Sequence, residues 1–393
     1  MREKCLNRSI VRTAFVLSFA TAISATTPQQ AAARWASFAP GMSGKIVYGD
    51  NAPQGNIRIL DLAAGTMKQI AKYDVESNVF GSSCFRWSPN GRRILTQNFD
   101  SVNVLNEDGS NMKLITKAKP CCDMIWGDWE NDSAIVYSTG KTVVRTAVHS
   151  DNTPGATDVL VSTPPAGQGY TCVGIYDDWL SYIDYAANFS SKGGHRPLLK
   201  NLKTGAVTKL IADNDDMCQL TMIPDLTYKT LGEMWSHLVP GTICDTNGNH
   251  ITTLPLIGNY PQREFSWSNQ LEYFMSQGEN SSNQWAWIRS WSRRATGANI
   301  IVSDTGSMVM YYPDLWVAPI VGTQEGAGMN NRRLSVHKMP VTSVAALAAN
   351  PGAVFFSAKG SVIDPQRAGS LRAGLYIVKI PGASPDRCLV QGR

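Results

Sequence analysis

Cys84-Phe85-Arg86-Trp87-Ser88-Pro89-Asn90-Gly91-Arg92-Arg93-Ile94-Leu95 reads as a strand, a turn and a second strand. Pro89 presets the turn backbone, Asn90 can cap it through its side chain, and Gly91 supplies a positive φ. Weaker copies of this pattern recur at residues 122–129, 172–179, 222–226, 265–269 and 312–316, about every 40 to 50 residues. Between them lie strand pairs turning on Gly, Asp or Asn, at 57–70, 102–115, 199–211, 243–254, 287–302 and 375–389. No stretch past residue 44 sustains apolar residues at i, i+3, i+4, i+7 over three turns, so helix is expected to be scarce. A repeat that divides into four short strands is the unit of a propeller blade. The expected fold class is therefore all-β, a single β-propeller of four-stranded antiparallel blades.

Second strands at 46–49, 94–97, 134–138, 180–184, 230–235, 271–275 and 353–357 give seven blades, one either way. The irregular stretch 307–339 reads either as an eighth, degenerate blade or as an insertion tipped by the Gly-rich loop 322–331. Ring closure is expected to pair the two ends of the chain in one blade, which removes exposed sheet edges.

The Trp87-Ser88-Pro89-Asn90-Gly91 motif, followed by Arg92 and an apolar strand, resembles the TolB-type propeller repeat. That repeat usually carries Asp where this chain has Asn90, and the other copies are degenerate. Residues 218–317 also resemble a group of exported bacterial TolB-like proteins, in which a Cys-led Pro-Asp blade precedes Trp-Ser-Asn and Tyr-Pro-Asp-Leu-Trp. The resemblance implies six or seven blades. Some seven-bladed relatives of the repeat are lyases that use clustered His at a metal.

The chain has 393 residues, 43% hydrophobic and 17% charged, a composition that folds around a core. Of the formal charge of +5, the first 25 residues hold +3 through Arg2, Lys4, Arg8 and Arg12 against Glu3, leaving +2 for the rest. That balance is no footprint for nucleic acid. The same basic segment precedes a short apolar run at 13–25, the form of an export signal. Small residues allow cleavage after Ser24 or after Ala33. The expected organisation is a signal peptide and short linker at 1–33 and the propeller at 45–393, in a secreted or periplasmic monomer with no transmembrane segment in the mature chain.

Beyond Cys5 there are seven cysteines, an odd number. Cys84, Cys122, Cys172 and Cys218 fall at or near the start of consecutive inner strands. Bridges between neighbouring copies, Cys84 with Cys121 or Cys122 and Cys172 with Cys218, are one reading; small buried thiols are the other. The five His (149, 195, 237, 250 and 337) share no blade position and no metal-ligand spacing. The Asp- and Asn-containing stretches at 213–216 and 245–249 lack the bidentate Glu of a calcium loop. No nucleophile elbow or phosphate-binding Gly loop occurs, so no cofactor, metal or catalytic residue is assigned.

Two groups remain as ligand-binding candidates. Trp285, Trp287 and Trp291 alternate with Arg289 along one strand, so all four side chains share a face. Such a face can stack on a sugar, or it can pack between blades. Asp128, Asp178, Asp225 and Asp314 lie in or beside the repeat turns and would gather at one end of the channel. There they can bind a ligand or serve as a glycosidic acid and base, or they can cap their own turns. The function read from this is a non-enzymatic exported propeller that binds a protein, peptide or glycan on its channel face. The alternative is a polysaccharide-active lyase or glycosidase.

Overall fold

The structure is a computed structural model. It describes residues 26–50, 55–72, 84–97, 101–117, 127–162, 169–185, 195–210, 217–222, 230–234, 242–244, 247, 249–253, 262–269, 272–279, 284–290, 299–304, 310–318, 354–357, 362–363 and 376–379. Two compact units divide the chain, Met1–Glu325 and Gly326–Arg393.

In the first unit, helix α1 (Pro28–Phe38) precedes β1 (Gly44–Asp50), β2 (Asn56–Asp61) and β3 (Thr66–Lys72). The next sheet is β4 (Cys84–Trp87), β5 (Arg93–Gln97), β6 (Ser101–Asn106) and β7 (Lys113–Lys117). It is followed by β8 (Gly127–Asn131), β9 (Ala134–Ser138), β10 (Val143–Val148) and β11 (Pro154–Val161). Then come β12 (Gly169–Tyr176), β13 (Trp179–Tyr185), β14 (His195–Asn201) and β15 (Val207–Lys209), and β16 (Met217–Met222), β17 (Thr230–Met234), β18 (Thr242–Cys244) and β19 (His250–Thr253). The last complete set is β20 (Gln262–Trp267), β21 (Tyr273–Glu279), β22 (Gln284–Ser290) and β23 (Asn299–Ser303). Finally β24 (Tyr311–Val317) returns to the edge of β1, with Ile46 opposite Leu315 and Val47 opposite Asp314.

Among the described residues the result is six antiparallel four-stranded sheets. Their inner strands β4, β8, β12, β16, β20 and β24 each lie against the next sheet, and β24 touches both β4 and β20, so the sheets close into a ring. In the second unit, β25 (Val354–Ser357), β26 (Val362–Ile363) and β27 (Tyr376–Lys379) form a three-stranded sheet in the order β26-β25-β27.

All seven second strands read from the sequence are strands of separate sheets: β1, β5, β9, β13, β17, β21 and β25. Among the described residues six sheets are four-stranded; the seventh is three-stranded and belongs to the second unit. The closure differs from expectation. The strand that completes the first sheet is β24, and the strand of the C-terminal hairpin, β27, pairs with β25 instead. The physical reason is in β24 itself, whose Asp314 and Trp316 bond to the β4–β5 segment. Pro313 lacks an amide proton, and β24 is the edge strand of its sheet, with no described strand paired on its far side, which is where that costs least.

The core is a series of apolar slabs between sheets. Val47, Ile57 and Ile59 meet Phe85, Trp87, Ile94 and Leu105. Leu95, Val102 and Val104 meet Trp129, Ile135 and Tyr137. A second strand is covered on both faces, so every residue of β9 is buried, and its sequence is a continuous apolar run where a half-exposed strand would alternate. The outer strands β3, β7 and β11 are largely exposed.

Helix α1 begins at a capping box: the Thr27 hydroxyl accepts from the Gln30 amide, and the Gln30 side chain accepts from the Thr27 amide. Eleven residues are too few to hold a helix alone, and packing of Ala31 and Trp35 supplies the rest. Residues 28–33, assigned from sequence to the leader and linker, belong to this helix. No helix among the described residues is long and apolar enough to cross a membrane.

Candidate functional site

Arg86 on β4 and Asp128 on β8 each directly precede a motif Trp, and the ring brings both within electrostatic reach of Asp314 on β24. The Trp87 N–H donates to Asp314 Oδ2 at 2.6 Å. Only 3% of Asp314 is exposed, and burial pushes its carboxyl up to about 6. Arg86, the Trp87 amide and Ser266 oppose that rise, whereas Asp128 adds to it. Asp314 is thus a clasp between the closing strand and the first complete sheet.

The turn side chains make similar clasps. Trp316 Nε1 donates to the Pro89 carbonyl at 3.1 Å. Asn269 Oδ1 accepts the Val317 N–H at 2.8 Å, and its Nδ2 donates to the Val317 carbonyl at 2.9 Å. The Asn90 N–H donates to Asp132 Oδ1 in the next sheet at 2.9 Å. Asn90 Oδ1 accepts from the Ser88 hydroxyl and the Arg92 amide within its own turn. Most of this polarity satisfies backbone groups that the ring would otherwise bury.

A cavity of about 480 Å³ opens between the first two sheets, lined by Lys45, Lys68 and Arg92, by Asp61, Glu107 and Asp108, and floored by Ile59 and Ile70. Gly109, at φ +88, makes this junction close: a Cβ there would lie 1.9 Å from the Ile70 carbonyl oxygen. The carboxylates are engaged locally. Glu107 pairs with Lys45, whose ammonium lies 5.8 Å from the Trp316 ring centroid. Asp61 Oδ1 accepts the Ala63 and Ala64 amides. Asp108 accepts the Ser110 amide at 2.9 Å, and Ser110, then Lys68, hold its carboxyl below the usual range. Lys68 and Arg92 are exposed. The cavity can therefore offer Arg92, with Lys68 beside Asp108, and an apolar floor to a ligand that carries an acidic group.

Trp285, Trp287 and Arg289 do share one face of β22, with the two indoles 6.3 Å apart and 16° from parallel. They are 7%, 1% and 0% exposed, inside the packing rather than on a surface. Across the sheet, Trp267 stacks on Phe274, and the Arg289 guanidinium lies 5.8 Å from the Phe274 ring centroid. Burial pulls the Arg289 pKa down to about 10. Asp178 pairs with Lys203 at the β12–β13 turn and is not brought to the Arg86, Asp128 and Asp314 group. Trp291, Asp225, Cys121 and Cys122 lie outside the described residues, and of Cys218 only its place in β16 is described. Cys84 and Cys172 are buried in one apolar cluster with Ile183, Leu199 and Leu210. Among the described residues, no group of three or more His, Cys, Asp or Glu is placed to hold a metal ion.

Two features escaped the sequence reading. The cavity residues belong to turns some forty residues apart, and their charges look like ordinary hairpin polarity until two sheets pack together. The register shifts in β12, β16, β20 and β24 put bulges on consecutive inner strands, with Cys172 at φ 50° and Tyr312 at φ 49°. No turn residue signals them.

No protein family and no curated protein matches the chain. Among solved structures it is similar to a TolB protein of Agrobacterium tumefaciens, at 10% identity over 70% of this chain and 97% of that one, with a TM-score of 0.47. It is also similar to TolB of Acinetobacter baumannii, at 12% identity and a TM-score of 0.35, over 69% of this chain. It spans 54% of that protein's length. An oligogalacturonate lyase of Vibrio parahaemolyticus matches at 11% identity and a TM-score of 0.40, over 67% of this chain and 73% of that one.

Proposed function

We propose that this protein is an exported, non-enzymatic propeller that recognises a protein, peptide or glycan on the face carrying the β4–β5 and β6–β7 turns. The observation that supports this reading is the cavity between the first two sheets, with Lys68 and Arg92 exposed at an apolar floor while its carboxylates serve the turns, Lys45 and, at Asp108, Lys68. The enzymatic alternative would use paired carboxylates; of the described candidates Asp314 is buried against the Trp87 amide with Asp128 within electrostatic reach, and Asp178 is paired with Lys203.

The test is a binding screen of the purified protein against acidic and neutral glycans and peptides, followed by titration of each hit. An acidic ligand is expected to bind about tenfold or more weakly to Lys68→Glu and Arg92→Glu, and to weaken with salt. Binding that is indifferent to both substitutions and to salt would remove the cavity as the site.

A further inference from the structure

The sequence allows leader removal after Ser24 or after Ala33, and the folded body distinguishes the two. Thr26 is fully buried. Its N–H donates to Asp304 Oδ1 at 2.5 Å and its hydroxyl to Oδ2 at 3.0 Å, joining positions 278 residues apart. Asp304 is itself 3% exposed. Arg34 Nη1 donates to Thr26 Oγ1 at 2.9 Å and to the Ile301 carbonyl at 2.8 Å. Trp35 sits in a cluster with Ile46, Leu60, Tyr273 and Ile288, and its Nε1 donates to the Met42 carbonyl. Helix α1 thus touches β23 on one side and β2 and β3 on the other, the two sheets that meet where the ring closes.

A cut after Ala33 would sever this helix at its middle. It would remove Thr26, the Thr27 cap and Ala31, and would leave the Asp304 carboxylate buried without the two donors that Thr26 supplies. Losing the partner of a buried carboxylate is costly. We propose that the leader is removed after Ser24, and that residues 26–38 remain in the mature protein as a strap across the closing seam. The step is a hydrolysis by a signal peptidase. The Ser24–Ala25 C–N bond breaks, water gives its hydroxyl to the Ser24 carbonyl carbon and a proton to the Ala25 nitrogen, and nothing is oxidised or reduced. The inference rests on the export reading, so its test separates the two.

The full chain is produced in a host with an export pathway, and the mature N-terminus is read by sequencing and intact mass. Ala25 as first residue supports the proposal. Arg34 as first residue overturns it while sparing the export reading, and an uncleaved chain overturns both. In parallel, leaderless chains beginning at Ala25 and at Arg34 are melted, together with Asp304→Ala in the longer chain. The Arg34 chain is expected to melt about 5 °C or more below the Ala25 chain, and Asp304→Ala to fall by a smaller step in the same direction. Equal midpoints for all three would exclude the strap.

Discussion

Asp314→Asn is expected to stabilise the protein at pH 7.5 by about 1–3 kcal/mol, whereas Asp314→Ala is expected to cost about 1–3 kcal/mol. The folded carboxyl is pushed up to about 6 from an ordinary value of 3.8, so the native state favours the protonated form. The stability this protonation contributes is fully present below pH 3.8 and is lost as pH rises through 6. An amide side chain keeps an oxygen to accept the Trp87 N–H and carries no charge into the buried site. A methyl side chain leaves that N–H without its partner. Urea midpoints measured from pH 4 to 8 check this: the gap between the parent protein and its Asp314→Asn variant should be small near pH 4 and widen toward pH 7. A gap independent of pH would mean that the carboxyl does not titrate in that window.

Gly91→Ala is expected to destabilise the ring by about 2–4 kcal/mol, combining left-handed backbone cost with overpacking. Gly91 has φ +71, and a Cβ there would lie 2.3 Å from the Trp316 indole. The indole is held in place by its bond to the Pro89 carbonyl, so it cannot withdraw without breaking the clasp between β24 and the β4–β5 turn. A double-mutant cycle isolates the contact. In a Trp316→Ala background the cost of Gly91→Ala should shrink to the backbone part, about 1–2 kcal/mol. An unchanged cost would show that the ring contact contributes nothing.

Much of the architecture is legible in local chemistry. Strand, turn and strand recur because Pro89, Asn90 and Gly91 carry the turn geometry themselves, and short apolar runs such as Ala134-Ile135-Val136-Tyr137 mark the second strands. The seven second strands were countable for that reason. The period of two also places Trp285, Trp287 and Arg289 on one face of β22, and the structure keeps them there. Whether such a face meets solvent or another sheet is not a local property, and here it is buried. The same holds for Asp314, whose turn-like setting in Tyr-Pro-Asp-Leu-Trp conceals a bond to a backbone amide 227 residues away.

By itself, then, the sequence determined the strands, the turns and the hairpins they form, because each depends on residues close together in the chain, and their recurrence gave the blade. The tertiary structure decided which strand closes the ring, that helix α1 belongs to the folded body, and that Lys68 and Arg92 share a cavity. Those outcomes depend on which sheets lie beside one another. That choice is made by burying apolar slabs and pairing buried polar groups over long chain separations, for which no short-range pattern codes.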